Sequence, residues 1–354
     1  MMTIDEFLQQ WNDGNDRLLV HTSGSTGLPK PLWVEKARMR ASARMTCDFL
    51  GLKAGDTALL CMPLDYIAGK MMVVRALERG LRLICIDPSG HPMCPTTQKV
   101  YDFSQSTPSH SGRPSPPSEG SGEVVAFAAM VPLQVWNSLQ VPEERERLRM
   151  IRHLIIGGGA IDDKLADELK DFPNAVWSTY GMTETLSHIA LRRLNGPARS
   201  EWYEPLPGVT VSLNADGCLV IDAPHLCDRQ LVTNDIGEQK SGGAFRILGR
   251  RDNVVCTGGV KIQMEEVERK LAGRIAVPFL ITKRSDEKFG EVVVMLHEGG
   301  TVEELRQVCR QLLTKYEQPR LYLSVDRLPM TETGKPARKR AEQLAEGIMG
   351  VCQN

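Results

Sequence analysis

Apolar residues in the first 90 positions form helical stripes and short runs that follow one another along the chain. Stripes at helical spacing predict helices over residues 1–14 and 35–50, and an apolar run predicts a buried strand over 58–62. A further helix, 71–80, leads directly into a strand over 81–86. Helices that alternate with buried strands are typical of α/β packing, so we expect a largely parallel sheet covered by helices.

The alternation stops over residues 104–122 and then resumes. Ser, Pro and Gly dominate this stretch, which holds almost nothing to bury, so it predicts a mobile surface loop. Beyond it, the pattern predicts strands and helices at 124–129, 131–139, 154–156, 162–170 and 174–178. The loop is therefore expected to interrupt one domain rather than to separate two.

From residue 205 onward the pattern changes to short strands. Asp216-Gly217 is a hairpin signal, and the apolar runs on either side of it predict an all-β piece that continues to residue 248. After residue 250, strands and helices mix again, and a basic helix closes the chain. The sequence predicts a large α/β domain with a β-rich subregion over residues 1–249 and a small mobile α+β domain over 250–354.

Composition excludes several classes of protein. The 354 residues are 42% hydrophobic and 25% charged, which is typical of a globular chain long enough for two domains. The net charge of −1 leaves no broad field for nucleic acid or an anionic membrane. The nine cysteines are scattered, which favours reduced thiols over disulfides or structural zinc. Without a membrane-spanning run or a signal-peptide layout, a cytoplasmic protein is expected.

A loop of glycines and small hydroxyl residues follows the apolar run at residues 18–20. Glycines allow close backbone approach, and successive N–H groups, hydroxyls and a lysine can surround an anion. The spacing is not that of a Walker A loop, because Pro29 instead of glycine precedes Lys30. The loop predicts a phosphate site or, alternatively, a flexible turn. Its candidate ATP-binding residues are Thr22, Ser23, Gly24, Ser25, Thr26, Gly27 and Lys30.

Three later features suit the base and ribose of a nucleotide, although each has a structural alternative. Gly157, Gly158 and Gly159 follow a predicted strand, where they would let a base lie flat against the backbone or would form a tight turn. Asp235 could accept hydrogen bonds from both ribose hydroxyls, or it could be a turn residue. Arg250 could donate to the ribose, or it could be a solvated charge.

The run Tyr180-Gly181-Met182-Thr183-Glu184 offers groups for the rest of a nucleotide. The tyrosine provides an aromatic face and the threonine a hydroxyl for phosphate. The glutamate provides a carboxylate for Mg²⁺, which prefers oxygen ligands. The alternative is that the threonine and glutamate simply begin a helix, since glutamate is favoured in a first turn.

Five motifs, in this order, resemble those of the acyl-adenylate-forming enzymes, a family that includes acyl- and aryl-CoA ligases. Thr-Ser-Gly-Ser-Thr-Gly-x-Pro-Lys resembles the family's phosphate loop. Tyr-Gly-Met-Thr-Glu, Thr-x-Asp-x-Gly, Gly-Arg-x-Asp-x-Val and Thr-x-Thr-Gly-Lys follow, so that the resemblance covers nearly the whole chain. It implies that family's fold in an N-terminally shortened form, because members carry a longer region before the phosphate loop.

The resemblance also implies a role for individual residues. Thr183 and Glu184 would hold phosphate and metal, Asp235 and Arg250 would hold the ribose, and Lys335 would be the catalytic lysine. Asp252 would be the hinge about which the small domain rotates between two steps. ATP, Mg²⁺ and a small-molecule carboxylic acid would yield an acyl-adenylate, and coenzyme A would then take the acyl group.

A looser resemblance points to a subgroup, the o-succinylbenzoate–CoA ligases of menaquinone synthesis. It rests on Pro63-Leu64-x-x-Ile67-x-Gly69 before the helix with Arg75, and on Ser187 after the Tyr-Gly-Met-Thr-Glu-Thr run. Asp65-Tyr66 replaces the Phe-His that relatives often have. The substrate would carry a second carboxylate, which a local cation must meet. Candidates by position are Lys70, Arg75 and His188.

Three alternatives to this ligase stay open at the level of the sequence. One is a ligase for another aryl or acyl acid, and another is a stand-alone adenylation enzyme that loads a carrier protein. The third is a non-catalytic nucleotide-binding relic, against which the presence of Glu184 and Lys335 argues. A shortened large domain could also expose apolar surface that a homo-oligomer would cover.

Overall fold

The computed structural model describes residues 2–21, 31–94, 98–104, 113–115, 124–159, 161–331 and 335–347, with the backbone alone at 21 and 113–115. The predicted phosphate loop, residues 22–30, lies outside the described residues. The helices are α1 (Ile4–Trp11), α2 (Lys36–Phe49), α3 (Ile67–Arg79), α4 (Pro132–Gln140), α5 (Pro142–Met150), α6 (Asp163–Leu169), α7 (Met264–Leu271), α8 (Val302–Leu312) and α9 (Arg338–Gly347).

Two single-turn 3-10 helices, Thr183–Thr185 and Arg251–Asn253, lie between strands in the order of the chain. The strands are β1 (Arg17–His21), β2 (Pro31–Glu35), β3 (Thr57–Leu60), β4 (Arg82–Cys85), β5 (Lys99–Asp102), β6 (Arg113–Ser115), β7 (Phe127–Met130), β8 (His153–Ile156), β9 (Ala175–Gly181), β10 (His188–Arg193), β11 (Glu204–Pro205), β12 (Thr210–Leu213), β13 (Cys218–Asp222), β14 (Leu231–Gln239), β15 (Phe245–Arg250), β16 (Val254–Thr257), β17 (Val260–Gln263), β18 (Phe279–Asp286), β19 (Gly290–His297) and β20 (Leu321–Ser324).

The central sheet has the order β11-β10-β9-β8-β7-β3-β4-β5-β6. Its five middle strands, from β9 to β4, are parallel, as the alternation of helices and strands predicts. The two strands on each side of these five are antiparallel, so the sheet is mixed rather than largely parallel at its edges.

The prediction of one continuous loop over residues 104–122 is wrong at its centre. Strand β6 pairs with β5, and Pro114 lies opposite Tyr101 in the register. Proline is tolerated here because β6 is an edge strand, on which one side of the backbone needs no partner.

Helices cover both faces of the central sheet. On one face, α1, α2 and α3 pack in a cluster that includes Phe7, Met39 and Val73. On the other face, α4, α5 and α6 contribute residues such as Leu139 and Leu148. Helix α5 has no predicted counterpart, because it buries only Glu144 and Leu148 and therefore shows no apolar stripe.

The β-rich subregion is an antiparallel sheet of order β12-β13-β14-β15, and the predicted Asp216-Gly217 hairpin joins its first two strands. A second mixed sheet, β17-β16-β19-β18 with β20 beside β19, packs against α7, α8 and α9. The described apolar clusters of the first part end at Phe245, and those of the second begin at Val255. The division at residue 250 remains a proposal, which this separation supports. No helix in the described ranges has both the length and the apolar character that a bilayer crossing requires.

Candidate active site

Strands β1 and β2 lie on either side of the predicted phosphate loop in the chain and pair with each other. They pair antiparallel, and His21 lies opposite Pro31 in the register. The two residues that flank the loop are therefore neighbours at one end of this strand pair. The inner face of the pair, with Val20 and Val34, is buried in the core shared with α2 and α3.

Tyr180, Asp235 and Arg250 form one contact group at the candidate ribose site. The Tyr180 phenol donates to Asp235 Oδ2 at 2.7 Å, and Arg250 Nη1 donates to Asp235 Oδ1 at 3.1 Å. The second pair is built into the sheet, because Asp235 on β14 lies opposite Arg250 on β15. Burial, together with the negative charge of Asp235, raises the pKa of Tyr180. The group thus holds a carboxylate between a neutral donor and a cation.

Lys335, in the C-terminal part of the chain, lies close enough to this group for the charges of Arg250 and Asp235 to shift its pKa. Its backbone N–H donates to Thr331 Oγ1 at 3.0 Å, and the Thr331 N–H donates back to the Lys335 carbonyl at 2.7 Å. Burial lowers the pKa of the lysine, the positive charge of Arg250 lowers it further, and Asp235 opposes both effects. The structure therefore brings Lys335 near the predicted ribose residues, which are distant in sequence.

The predicted hinge residue also contacts this group. Asp252 Oδ2 accepts from Arg250 Nη2 at 3.0 Å and from Asn234 Nδ2 at 3.2 Å. The sequence analysis assigned no role to Asn234, which lies between Thr233 and Asp235 in the motif. Because successive side chains of a strand point to opposite faces, the strand pattern could have shown that Asn234 faces away from Asp235.

The three glycines after β8 occupy a tight strand end. A Cβ on Gly157 would meet Thr179 Oγ1 at 2.4 Å, and Gly158 has a positive φ of 77°. A side chain at either position is therefore disfavoured by the fold itself. Gly159 lies against Pro132, which a Cβ would approach to 3.3 Å. These contacts account for the tight-turn alternative and leave the role in base binding a prediction.

Thr183 and Glu184 lie on a one-turn 3-10 helix, which is held from inside by Thr185. The buried Thr185 hydroxyl accepts from the Met182 N–H at 3.0 Å and donates to the Ser187 carbonyl at 2.7 Å. The 3-10 helix is only three residues long, so Thr183 and Glu184 begin a single turn rather than an ordinary helix. Thr185 therefore holds the single turn that carries the two predicted residues, a contribution that the sequence pattern did not indicate.

Leu186, directly after this turn, has φ of 67°, which is unusual for a residue with a Cβ. Among the described residues it is the only non-glycine with a positive φ. Gly181 closes the other end of the turn, where a Cβ would lie 2.3 Å from the Ser187 carbonyl oxygen. The turn that presents Thr183 and Glu184 is therefore a constrained backbone, of the kind that often occurs at functional sites.

Arg75 and His188, two of the three candidates for a second carboxylate, meet in a buried polar cluster. Arg75 Nη2 donates to Ser187 Oγ at 2.6 Å, and His188 Nδ1 lies 3.4 Å from the same hydroxyl. His188 Nε2 lies 3.0 Å from Thr46 Oγ1. Burial, then the charge of Arg75, lowers the pKa of His188 well below its usual value, so the ring is neutral. We call Thr46, Arg75, Ser187 and His188 the arginine cluster.

Arg75 is a buried cation without a carboxylate partner in the described part of the chain. Only 1% of the residue is exposed, and its Nε has no hydrogen-bond partner there. Burial lowers the pKa of the guanidinium to about 10, which still leaves it charged at neutral pH. An unpaired charge is costly to bury, so a bound anion would stabilise this arrangement.

Lys70, the third candidate, points elsewhere. Its Nζ donates to the Leu64 carbonyl and lies 3.5 Å from the Met2 thioether sulfur. Burial lowers its pKa, and Asp65 opposes that effect. The described contacts therefore tie Lys70 to the segment before α1 and to the loop before α3, apart from the arginine cluster.

Comparison with known proteins places the chain in a family. Residues 6–226 match the family model described as AMP-binding enzyme. That span is more than half of the chain, and the chain belongs to the AMP-binding enzyme family. The predicted membership of the acyl-adenylate-forming enzymes is confirmed, and so is the predicted fold.

Individual relatives add detail. An acyl-CoA synthetase (AMP-forming)/AMP-acid ligase II-like protein from Dyadobacter fermentans is 32% identical, with a TM-score of 0.61, over 96% of this chain and 92% of that one. The 2-succinylbenzoate–CoA ligase of Bacillus cytotoxicus is 24% identical over 93% of this chain and 70% of its own length. O-succinylbenzoate coenzyme A synthetase from Bacillus subtilis, solved with ATP and magnesium ion, is 22% identical with a TM-score of 0.69, over 91% and 69% of the two chains.

Proposed function

We propose that this protein joins a carboxylic acid to coenzyme A in two AMP-forming steps, and that the acid is o-succinylbenzoate. The observation that carries the proposal is Arg75, a charged guanidinium that is 1% exposed and lacks a carboxylate partner among the described residues. A dicarboxylic acid can present one carboxylate to ATP and the other to this cation. The reaction would belong to menaquinone biosynthesis.

In the first step, an oxygen of the acid attacks the α-phosphorus of ATP, and pyrophosphate leaves. Negative charge spreads over the attacking oxygen and the phosphate in the transition state, so positioned cations do most of the work. Lys335 is a candidate for such a cation, because its pKa responds to the charges of Arg250 and Asp235 in the ribose group. In the second step, the sulfur of the thiol attacks the acyl carbon, and AMP leaves.

The described residues are compatible with Mg²⁺ bound partly by the nucleotide. No group of three or more His, Cys, Asp or Glu side chains in the described ranges is arranged to hold a metal ion. Glu184 would therefore contribute a single carboxylate, which fits an ion that usually keeps waters and binds substrate phosphates. When bound, Mg²⁺ neutralises phosphate charge during AMP transfer.

The ATP assignment joins residues from three places. Thr22, Ser23, Gly24, Ser25, Thr26, Gly27 and Lys30 would surround the phosphates. Asp235 and Arg250 would hold the ribose, since a carboxylate can accept from two neighbouring hydroxyls. Gly157, Gly158, Gly159, Tyr180, Gly181 and Met182 would line the base.

Relatives support the choice of acid. The names of the curated relatives state that they ligate 2-succinylbenzoate to CoA, at 24% identity to this chain. The arginine cluster adds the chemical reason, because hydrogen bonds to charged groups are strong and directional. A ligase for another acid and an enzyme that loads a carrier protein share the ATP residues and differ in the acid or the thiol acceptor.

The test is release of pyrophosphate and AMP by the purified protein with ATP, Mg²⁺ and o-succinylbenzoate, with and without CoA. Benzoate and a fatty acid are the control acids, and Lys335→Ala is the control variant. We expect release that requires o-succinylbenzoate, thioester only when CoA is present, and loss of adenylation in Lys335→Ala. Release with another acid would refute the pathway, whereas ATP binding without release for any acid would favour the relic.

A further inference from the structure

Asn234 contacts both charged residues of the turn that joins the two parts of the chain. Its Nδ2 donates to Asp252 Oδ2 at 3.2 Å, and its Oδ1 accepts from Arg251 Nη2 at 3.0 Å. Arg251 Nη1 also donates to Asp216 Oδ2 at 3.2 Å, in the hairpin between β12 and β13. We call Asp216, Asn234, Arg251 and Asp252 the latch.

The latch lies where the apolar core is interrupted. The described clusters of the first part end at Phe245, and those of the second part begin at Val255. Polar contacts cross the division at residue 250, such as the hydrogen bond from Arg251 Nη1 to Asp216 Oδ2 at 3.2 Å. Parts of a chain that share few apolar contacts can move relative to each other at low cost.

Strand geometry lets the neighbouring residues Asn234 and Asp235 on β14 contact different groups. Successive side chains of a strand point to opposite faces, so Asp235 meets Tyr180 while Asn234 meets the turn. An amide has both donors and an acceptor, so one asparagine can pair with a carboxylate and a guanidinium together. A glycine or an alanine at this position would leave Arg251 and Asp252 without this bridge.

We propose that the latch holds the C-terminal part in the orientation in which Lys335 faces the ribose group, and that it opens when this part rotates for the thioester step. The inference rests on the proposed two-step function. Asn234 is then a positioning residue, since it touches neither nucleotide nor acid. Closing the latch favours adenylation, and opening it favours thiol transfer.

The exposure of the latch suits a contact that opens and closes in every turnover. The side chains of Arg251 and Asp216 are 52% and 64% exposed. Exposed ion pairs are weak, so loss of one latch contact should change the ratio of closed to open forms by about two- to fivefold. A change of this size is measurable, yet it does not prevent opening.

Limited trypsin digestion measures the open form without any substrate. Cleavage after Arg250 or Arg251 requires the turn to leave its contacts, and mass spectrometry identifies the fragments. Asn234→Ala and Asp216→Asn both keep these two arginines, and Asp216→Asn also preserves the turn, because Asn-Gly favours the same hairpin. The matched control is Glu238→Gln, also on β14, whose partner Arg246 lies away from the turn.

We expect cleavage at the turn to be about two- to fivefold faster in both latch variants and unchanged in Glu238→Gln. Equal cleavage of wild type and both latch variants would overturn the proposal. If Asn234→Ala unfolds at a lower temperature than wild type, Asp216→Asn decides the result. Because no acid is needed, this assay also reports on the latch if the proposed function fails.

The two half-reactions give the second readout. With o-succinylbenzoate, adenylation measured by ATP–pyrophosphate exchange should fall about two- to fivefold in the latch variants. Thioester formation from preformed o-succinylbenzoyl-AMP and CoA should be unchanged or faster. An equal fall in both half-reactions would indicate general structural damage and would contradict the latch.

Discussion

The phenolic oxygen of Tyr180 lies 2.7 Å from Oδ2 of Asp235, and this hydrogen bond joins the central sheet to the β-rich sheet. Tyr180 stands near the end of β9, whereas Asp235 is in the middle of β14. Two motifs that lie 55 positions apart are thus in direct contact. Tyr180 holds one oxygen of the carboxylate and Arg250 the other, and each oxygen keeps a further lone pair that could accept from a ligand.

Tyr180→Phe should weaken ATP binding. Loss of one neutral donor to Asp235 corresponds to about 1 kcal/mol, which predicts an increase of about 2- to 10-fold in the ATP dissociation constant. Isothermal titration calorimetry with ATP measures it. Tyr203→Phe is the control, since the Tyr203 phenol contacts Ser178 Oγ at 2.7 Å and not Asp235. An equal loss of ATP affinity in both variants would refute a specific role for Tyr180.

Arg75→Met should raise the KM for o-succinylbenzoate by about 10- to 100-fold, because a charge-assisted hydrogen bond to the second carboxylate is lost. The free energy of unfolding should stay equal or rise, since an unpaired buried charge is removed. Steady-state kinetics and chemical denaturation measure the two quantities.

Lys70→Met is the matched control for Arg75→Met, because it removes a second cation from the same helix. Lys70 is bonded to the Leu64 carbonyl, so we expect an unchanged KM for o-succinylbenzoate. A larger effect on KM for Lys70→Met than for Arg75→Met would indicate that Lys70 binds the second carboxylate and would contradict the proposal.

The sequence predicted those parts of the fold that follow from local periodicity. Helix α3 and strand β4 appear where an apolar stripe and an apolar run predict them. Helix α5 was missed because tertiary contacts of Leu148 and Glu144, rather than an amphipathic pattern, hold it in place. Strand β6 was missed because its pairing with β5, and not a strand-like pattern of its own residues, makes it a strand.

The site shows the same division between local and non-local information. Motifs indicated Asp235, Arg250 and Lys335 as candidates, and the structure brings them together. Lys70 and Arg75 could not be distinguished by position, because five residues along a helix place side chains on different faces. The burial of Arg75 and its contact with Ser187, 112 positions away, depend on the packing of α3 against the turn before β10.

Phe7→Ala should destabilise the protein by about 3–5 kcal/mol, the usual cost of emptying a buried aromatic site. Phe7 is fully buried and stacks on Trp11 at 5.8 Å, so α1 closes one face of the core. Chemical denaturation gives the free energy of unfolding. Leu19→Ala, at a residue 37% exposed, should change it by less than about 0.5 kcal/mol. Similar effects for the two would show that α1 does not seal the core.

The alkaline limb of the adenylation rate should reflect Lys335. Burial and the charge of Arg250 lower the pKa of this lysine below 10.5, and the proposed role needs the charged form. The rate should therefore fall as the pH rises toward that lowered pKa. In Lys335→Arg the guanidinium stays charged, so any residual rate should persist to higher pH. A limb at the same pH in both proteins would assign it to another group.

His188 should make the protein less stable in mild acid. Burial, with the charge of Arg75, lowers the pKa of His188 well below 6.5, so the folded protein keeps the ring neutral while the unfolded chain binds a proton. Stability is therefore fully present above pH 6.5 and decreases as the pH falls below it, by about 1.4 kcal/mol per pH unit for one proton.

His188→Gln removes this proton while keeping a donor and an acceptor near Thr46, so its free energy of unfolding should fall less steeply between pH 6.5 and 5. Urea denaturation at several pH values measures the slope, and His225→Gln, at an exposed histidine, is the control. The slope of the free energy of unfolding against pH should differ from that of wild type by close to one proton in His188→Gln, and the slope of the control should follow wild type. Parallel curves for His188→Gln and wild type would mean that the folded protein accepts the proton, and the buried neutral ring beside Arg75 would then be the wrong description of the arginine cluster.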